Sequence, residues 1–474
     1  MKHSITMGEK VGYSLGDVAA NLAFQMMMIY QLKFYTDIFG LDGAIAGTVL
    51  LIAPLASAFA DPFIGIITDR TQTRWGKYRP WILWTALPFS IFYILAFWNP
   101  GIQDKTLVAI YATVSYILLL TLYGLNNTPY ASLGGVMTDD IRERTSINKV
   151  RFVCTSIAQF VVQGFTLPLV DRFGNGNPAQ GWQRTIILFA VLAFIFLIIC
   201  FLSTRERIQP PPQQKMSIRE DVSKTFSSVP WRSIFVLVLF MFIALAMWGA
   251  STNFYFQSYL DQSALSQFLG RLGFSTSSEN AYIIGFSLFN TVNAVVQFLG
   301  VLFLSGFLAN RFGKKTTFLA GLSLCTFFTA LFYLPSPQDI GMVYLLCLLK
   351  SLAYGPTIPL LWAMVADTAD HMEYINHRRA TGFCFSGVIF ALKTGMGIGG
   401  AFAGLILSLF GFVSGFGIQQ SETTVTGIRL VSSLFPALLL IVGIIALYFY
   451  PISKSYNEKM QAELAHRRHS KEND

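Results

Sequence analysis

Ser57-Ala58-Phe59-Ala60-Asp61-Pro62-Phe63-Ile64-Gly65-Ile66-Ile67-Thr68-Asp69-Arg70 is the stretch on which the reading of the fold turns. Asp61 stands inside a run that is otherwise lipid-soluble, with Ser57 one helical turn before it. Asp69 and Arg70, two turns further on, mark where the run meets water. A carboxylate at such depth is costly unless it is paired or faces a wet cavity, which makes Asp61 a candidate functional residue. At the helical rise per residue it lies about 12 Å from the polar end of its run.

This run is one of many. Of 474 residues, 53% are hydrophobic and only 12% charged, about half the charged fraction of a soluble protein. Apolar blocks fall at residues 11–36, 44–68, 80–99, 106–137, 147–170 and 184–203, then at 232–260, 281–309, 315–334, 341–366, 380–411 and 427–451. Each approaches the roughly 20 residues a helix needs to cross a bilayer. The expectation is an all-α polytopic membrane protein of about twelve transmembrane helices. A membrane β-barrel is excluded, because its strands are short and alternate in polarity. No cleavable signal peptide is expected: Met1 to Lys10 is polar and the first block continues at full spanning length. Cys154, Cys200, Cys325, Cys347 and Cys384 are scattered singly without a CxxC pair, so they read as small buried hydrophobes rather than metal ligands.

The formal charge of +9 could suggest nucleic acid, but the basic residues follow the even blocks. Arg70, Arg74, Lys77 and Arg79 follow the second; Arg142, Arg144 and Lys149 the fourth. Arg311, Lys314 and Lys315 follow the eighth; Arg378 and Arg379 the tenth. The alternate loops hold Asp37, Asp42 and Asp339 instead. Basic loops stay in the cytoplasm, so both termini are expected there. The chain divides into an N-terminal six-helix half (1–204), a cytoplasmic linker (205–231) containing Pro210-Pro211-Pro212, a C-terminal half (232–452) and a solvated cytoplasmic tail (453–474).

A repeat links the halves. Gly65-Ile66-Ile67-Thr68-Asp69-Arg70 with Gly76-Lys77 recurs as Gly306-Phe307-Leu308-Ala309-Asn310-Arg311 with Gly313-Lys314-Lys315, after the second block of each half. One such string is weak; two at equivalent positions are not. Internal repeats around a midplane cavity are a design of secondary transporters.

Polar side chains inside the spans cluster by helical spacing. Asp17, Asn21, Phe24 and Gln25 share one face of the first span. Tyr123, Asn126, Asn127, Thr128, Tyr130 and Ser132 surround Pro129 in the fourth, which suits a helix lining a cavity. The fifth adds Arg151, Gln159 and Gln163, the eighth Asn290, Asn293 and Gln297, and the tenth and eleventh Lys350, Trp362 and Lys393. Asn, Ser and Thr can instead join helices, and Lys33 and Lys350 can snorkel or meet a neighbouring acid. Asp61 and Lys393 sit mid-span, where a mutual ion pair would relieve the desolvation of both.

Catalytic signals are absent, and the chain does not read as an enzyme. Gly395-Met396-Gly397-Ile398-Gly399-Gly400 imitates a nucleotide loop but lies within an apolar span, where it predicts close helix packing. Asn126-Asn127-Thr128 matches a glycosylation site but is buried in a span. His371 and His377 read as solvated loop residues.

Several motifs together resemble the glycoside–pentoside–hexuronide:cation symporters, the melibiose-permease-like branch of the major facilitator superfamily. They are Tyr13-Ser14-Leu15-Gly16-Asp17, Phe34-Tyr35-Thr36-Asp37, Asp61-Pro62 with Gly65, Arg74-Trp75-Gly76-Lys77-Tyr78-Arg79-Pro80, and Ala366-Asp367-Thr368. The resemblance runs from the first span to the last. It implies the major facilitator fold and a multi-pass sugar carrier of the bacterial inner membrane, working by alternating access on a sugar or glycoside and a cation; a monomer without a cofactor is expected. It implies that Asp61 is the cation-site aspartate, with Lys393 and Tyr123 beside it, and that Arg151 lies at the sugar pocket. Asn127 and Asn21 stand where melibiose permease has sugar-binding aspartates, and Asp17 belongs to the same expected substrate group. Asp69, Arg70, Arg74, Lys77, Arg311 and Lys314 would form cytoplasmic gating loops.

The departures bear on the coupling ion. The family's second cation-site aspartate is Ser57 here, its arginine three residues earlier is Pro54, and the span-four threonine of its Na⁺ site is Gly124. A Na⁺ site needs several hard oxygens, so H⁺ is expected rather than Na⁺. Asn21 and Asn127 together with Arg151 make the pocket less negative. That suits an anion such as a hexuronide or sulfonated sugar, yet amides bind neutral hydroxyls equally well, and a glycoside is preferred. The alternative on the same scaffold is an exporter or exchanger of a small organic anion.

Overall fold

The computed structural model describes residues 5–138, 141–207, 225–376, 381–415 and 418–472. Among them every apolar block is helical, and the only bridge between extended residues joins Thr73 to Gly76. In chain order the helices are α1 (Met7–Lys33), α2 (Gly43–Arg70), α3 (Arg79–Ala96), α4 (Lys105–Val136), α5 (Ile141–Gly174) and α6 (Pro178–Ser203). There follow α7 (Val229–Phe254), α8 (Gln262–Arg271), α9 (Ala281–Leu299), α10 (Gly306–Phe312), α11 (Lys314–Leu331) and α12 (Ile340–Tyr354). The chain continues with α13 (Thr357–Asn376), α14 (Thr381–Leu409), α15 (Glu422–Val431), α16 (Leu434–Tyr448) and α17 (Lys454–Glu472).

Among the described residues, ten helical stretches are long and apolar enough to cross a membrane. Of the twelve expected, α1 and α11 fall short by composition. The polar residues Asp17, Asn21, Gln25 and Gln31 lie on α1, and α11 opens on Lys314-Lys315. A helix with a polar stripe scores as less apolar even when that stripe faces protein. The architecture is that of the major facilitator fold.

Side-chain caps set several helix starts. Asp42 accepts from the Ala44 N–H at 2.8 Å, Asp104 from Thr106 at 2.7 Å, and Asp261 from Ala264 at 2.8 Å. Each satisfies a backbone donor that the first turn leaves open. Phe34–Ile38 after α1 and Tyr255–Tyr259 after α7 are π-helical turns at matching places in the two sequence halves. The connection after the second is longer because it carries α8.

The chain forms two compact units. Unit 1 is Met1–Pro212 with Gly249–Ala294 and Gly400–Ile428; unit 2 is Gln213–Trp248, Val295–Gly399 and Arg429–Asp474. In unit 1, α1 packs on α5 and α6, α2 on α4, and α3 on α4 and α6. Unit 2 centres on α11 against α12, α13 and α16, around Leu237, Phe318, Met364 and Leu440. The glycine run 395–400 packs closely, as expected. A Cβ on Gly399 would collide with the Ile243 carbonyl, and one on Gly404, a turn later, with the carbonyl of Gly43. Small residues let these backbones touch.

Two expectations are corrected. The C-terminal tail is not a solvated strand of charge: α17 buries Met460 and Leu464, and its Gln461 donates to Asp370 at 2.8 Å. Lys454 donates to the Asn310 carbonyl at 2.7 Å. His371 is not a solvated loop residue either, because α13 continues through it. Its buried ring lies 5.7 Å from that of Tyr456 on α17. Residues 208–224, most of the expected linker, and His377, Arg378 and Arg379 lie outside the described residues.

Candidate substrate and coupling site

The site is built on the polar stripe of α1. Asp17 and Asn21 share a face as their spacing predicts, and the Asn21 amide donates to Asp17 Oδ1 at 3.2 Å. From α5, Thr155 donates to Asp17 Oδ2 at 3.0 Å, and Arg151 Nε lies 3.6 Å from the same oxygen. Two turns along, Gln163 donates to Gln25 at 3.1 Å. Asp17–Thr155 and Gln25–Gln163 are both separated by 138 residues. A constant offset means that α1 and α5 run in the same direction. Two odd-numbered spans must do so in a chain that crosses the bilayer at every span.

The electrostatic consequence is specific. Asp17 and Arg151 are opposite charges in partial contact with solvent, at 22% and 36% side-chain exposure. Together they neutralise one another and leave a stripe whose other members are amides and hydroxyls. Across from it on α4, the Asn127 amide donates to the Tyr123 hydroxyl at 3.5 Å, and the Tyr123 ring stacks on Phe24 at 6.2 Å. The structure therefore brings Asp17, Asn21 and Arg151 into one cluster, with Tyr123 and Asn127 joined to α1 through Phe24. Asn126 faces elsewhere, donating to Thr85 on α3 at 2.6 Å.

Asp61 is half-buried on α2 in unit 1, and Ser57, a turn earlier, is fully buried with its hydroxyl lacking a hydrogen-bond partner among the described residues. Lys393 is half-buried on α14 in unit 2. Lys33 meets its expected acid: Asp37, one turn on, lies 2.7 Å away, and both side chains are 3% exposed. Lys350 is buried over the Trp248 ring.

The loop residues divide. Arg74 and Lys77 lie over the rings of Trp75 and Tyr78, and Arg311 over that of Phe312. Lys314 makes a two-oxygen ion pair with Asp367, at 2.6 and 2.7 Å. The side chains of Asp69 and Arg70 lie outside those described.

Sequence reasoning missed three residues here. Thr155 could have been found one turn after Arg151. Glu206 accepts from the backbone N–H groups of Lys77, Tyr78 and Arg79 at 2.8, 2.7 and 2.9 Å. Next to it Arg207 donates to both oxygens of Glu9, at 2.6 and 2.8 Å, and these bonds hold its guanidinium above its ordinary value. An acid and a base in a charged linker carry no periodic signal.

Comparison with known proteins agrees with this picture. The family described as MFS/sugar transport protein matches residues 12–277 and 281–454. The inner membrane symporter YicJ of Escherichia coli K12 is 32% identical over 467 residues, covering 97% of this chain and 95% of that protein. The isoprimeverose transporter of Lactiplantibacillus pentosus is 31% identical over 100% of this chain and 94% of its own. A solved POT family transporter in complex with 5-aminolevulinic acid superposes with a TM-score of 0.66 at 12% identity, covering 94% of this chain and 98% of that one, a likeness of fold alone. The chain is a multi-pass membrane transporter, not an enzyme, and it belongs to the MFS/sugar transport protein family, in keeping with its resemblance to the glycoside–pentoside–hexuronide:cation symporters.

Proposed function

We propose that this protein symports a neutral glycoside with H⁺ by alternating access, with both termini in the cytoplasm. The observation that carries the choice of substrate is the Asp17–Arg151 contact. An anionic sugar needs a cation with charge to spare, and Arg151 already faces a carboxylate. Amides at Asn21, Gln25, Asn127 and Gln163 can both donate and accept, which suits the hydroxyls of a sugar. The isoprimeverose transporter among the relatives supports the glycoside class, and the basic loops support the orientation.

Asp61 is the coupling acid in this reading. Its neighbour Ser57 offers one hydroxyl, and Asp17 is occupied by Arg151, Thr155 and Asn21. With Ser57 and Gly124 where the resemblance places an aspartate and a threonine, the chain lacks hard oxygens that a Na⁺ cage would use, which favours a proton. Protonation would neutralise a midspan charge and ease the rearrangement of the helices around the substrate.

The test is counterflow of labelled xylosides, galactosides and glucuronides in proteoliposomes, followed by uptake under an imposed pH gradient. Neutral glycosides exchanging, with accumulation driven by the pH gradient and indifferent to Na⁺, is the expected result. Stimulation by Na⁺ at fixed pH would overturn the choice of ion, and exchange of glucuronides alone the choice of substrate.

A further inference from the structure

Unit 1 contains a polar cavity at the end of the helices where α1 finishes, with a volume of about 810 Å³. Its floor is formed by Lys33, Gln257, Trp182 and Tyr282, and its mouth carries the exposed acids Asp171 and Glu279. Along α1, Lys33 is eight residues beyond Gln25, the nearest member of the stripe, about 12 Å at the helical rise. The cavity is therefore separate from the Asp17–Arg151 stripe. On the proposed orientation it opens outward.

Its floor is built rather than incidental. Lys33 donates to Asp37 and to Gln257 Oε1, the latter inside the second π-helical turn. Its ammonium also lies 5.5 Å from the Phe254 ring and 5.7 Å from that of Tyr282. With two of its three N–H groups committed, Lys33 keeps one donor, and Asp37 compensates its charge. Gln262 donates to the Phe256 and Leu260 carbonyls at 2.9 and 3.0 Å, leaving its buried Oε1 without a partner among the described residues. Gln262 belongs to the lining of the cavity, and its two donated bonds fix the backbone turn that carries Gln257. π-Helical turns recur at functional sites, and this one supplies Gln257.

We infer that this cavity is a vestibular glycoside site, which holds the sugar before it reaches the central stripe. The volume is that of a small-ligand pocket. Tyr282 offers an aromatic face, and Gln257, whose oxygen accepts from Lys33, offers its amide N–H groups to hydroxyls. The two acids at the mouth repel anions at close range, so the class is a neutral glycoside of one or two rings. The inference rests on the glycoside reading above, and its test is arranged to fail separately.

Ser278, exposed at the mouth, is replaced by cysteine in purified full-length protein in nanodiscs. The rate of maleimide labelling is followed with methyl β-xyloside, xylobiose, lactose or phenyl β-glucuronide, with the parent protein subtracting reaction at native cysteines. A neutral sugar should slow labelling in the Ser278→Cys protein and equally when Arg151→Ala is added. Adding Gln257→Ala should raise the half-protecting concentration about tenfold, the loss of one or two hydrogen bonds. Protection abolished by Arg151→Ala, protection by the glucuronide alone, or counterflow of a neutral sugar without protection would each overturn the site. Protection by a neutral sugar with no counterflow of any sugar would support the vestibule and overturn the transport reading instead.

Discussion

Glu206 accepts from the Tyr78 backbone N–H at 2.7 Å, joining the segment after α6 to the loop that precedes α3. The same carboxylate takes the N–H groups of Lys77 and Arg79, so it caps α3 from a distant part of the chain. Hydrogen bonds to a charged acceptor at a helix N-terminus are stronger than neutral ones. Replacing Glu206 with alanine should cost about 2 kcal/mol, and glutamine should cost less because it keeps one oxygen. Thermal unfolding in one detergent should place Glu206→Gln between the parent and Glu206→Ala, with faster amide exchange at residues 77–79 in both variants.

Arg207 and Glu9 make an asymmetric pair, because Glu9 is 8% exposed and Arg207 31%. Removing the arginine strands a buried carboxylate, whereas removing the glutamate leaves a cation that can reach water. Arg207→Ala is therefore expected to be the more destabilising change, by about 2 kcal/mol, and the double alanine variant should lose less than the two singles combined. Apparent melting temperatures of the four proteins complete the cycle.

The coupling assignment rests on Asp61. Asp61→Asn should abolish accumulation against a gradient while sparing exchange of labelled for unlabelled sugar, because the amide mimics the protonated acid. Uptake and counterflow measured on the same proteoliposomes separate the two. Concentrative uptake that survived the substitution would remove Asp61 from the coupling step.

How much of this could be read in the chain depends on what each feature leaves in composition. Spans leave long apolar runs, and the Asp17–Asn21–Gln25 stripe leaves a helical period, so both were legible. The partnership of Asp17 with Arg151 was not, because it depends on the register of α1 against α5. Glu206 and Arg207 follow a span like any polar residues, and only the folded loop shows what they hold. The π-helical turns at Phe34 and Tyr255 differ from α-helix in hydrogen bonding, which composition does not record. His371 misled because an acidic, histidine-bearing stretch resembles a loop, whereas α13 continues through it under the cover of α17.

Asp17 sets the charge of the pocket, and its replacement should change selectivity. In Asp17→Asn the Arg151 guanidinium loses its counter-charge and the stripe becomes cationic. A sugar carboxylate should then gain relative to a neutral glycoside by about tenfold, equivalent to one modest charge contact. Competition of phenyl β-glucuronide against methyl β-xyloside in counterflow measures the ratio. An unchanged ratio would show that Arg151 does not face the substrate.

The last prediction concerns α17. Its sequence is mostly polar, yet Met460 and Leu464, one turn apart, are 1% and 2% exposed. Around them Gln461 bonds to Asp370 and the Tyr374 hydroxyl donates to Glu463 at 3.1 Å. A helix held by a narrow apolar stripe and a polar rim should be sensitive to the stripe and tolerant at the rim. Met460→Ala should cost about 2 kcal/mol, whereas Glu463→Ala should change stability by less than about 1 kcal/mol, since its bond is exposed. If α17 were a solvated tail, neither change would move the melting temperature, and removing residues 454–474 would leave it unaltered. Docking predicts instead that the truncation and Met460→Ala both lower it, the truncation further, because it also uncovers His371 and releases the Lys454 bond to Asn310.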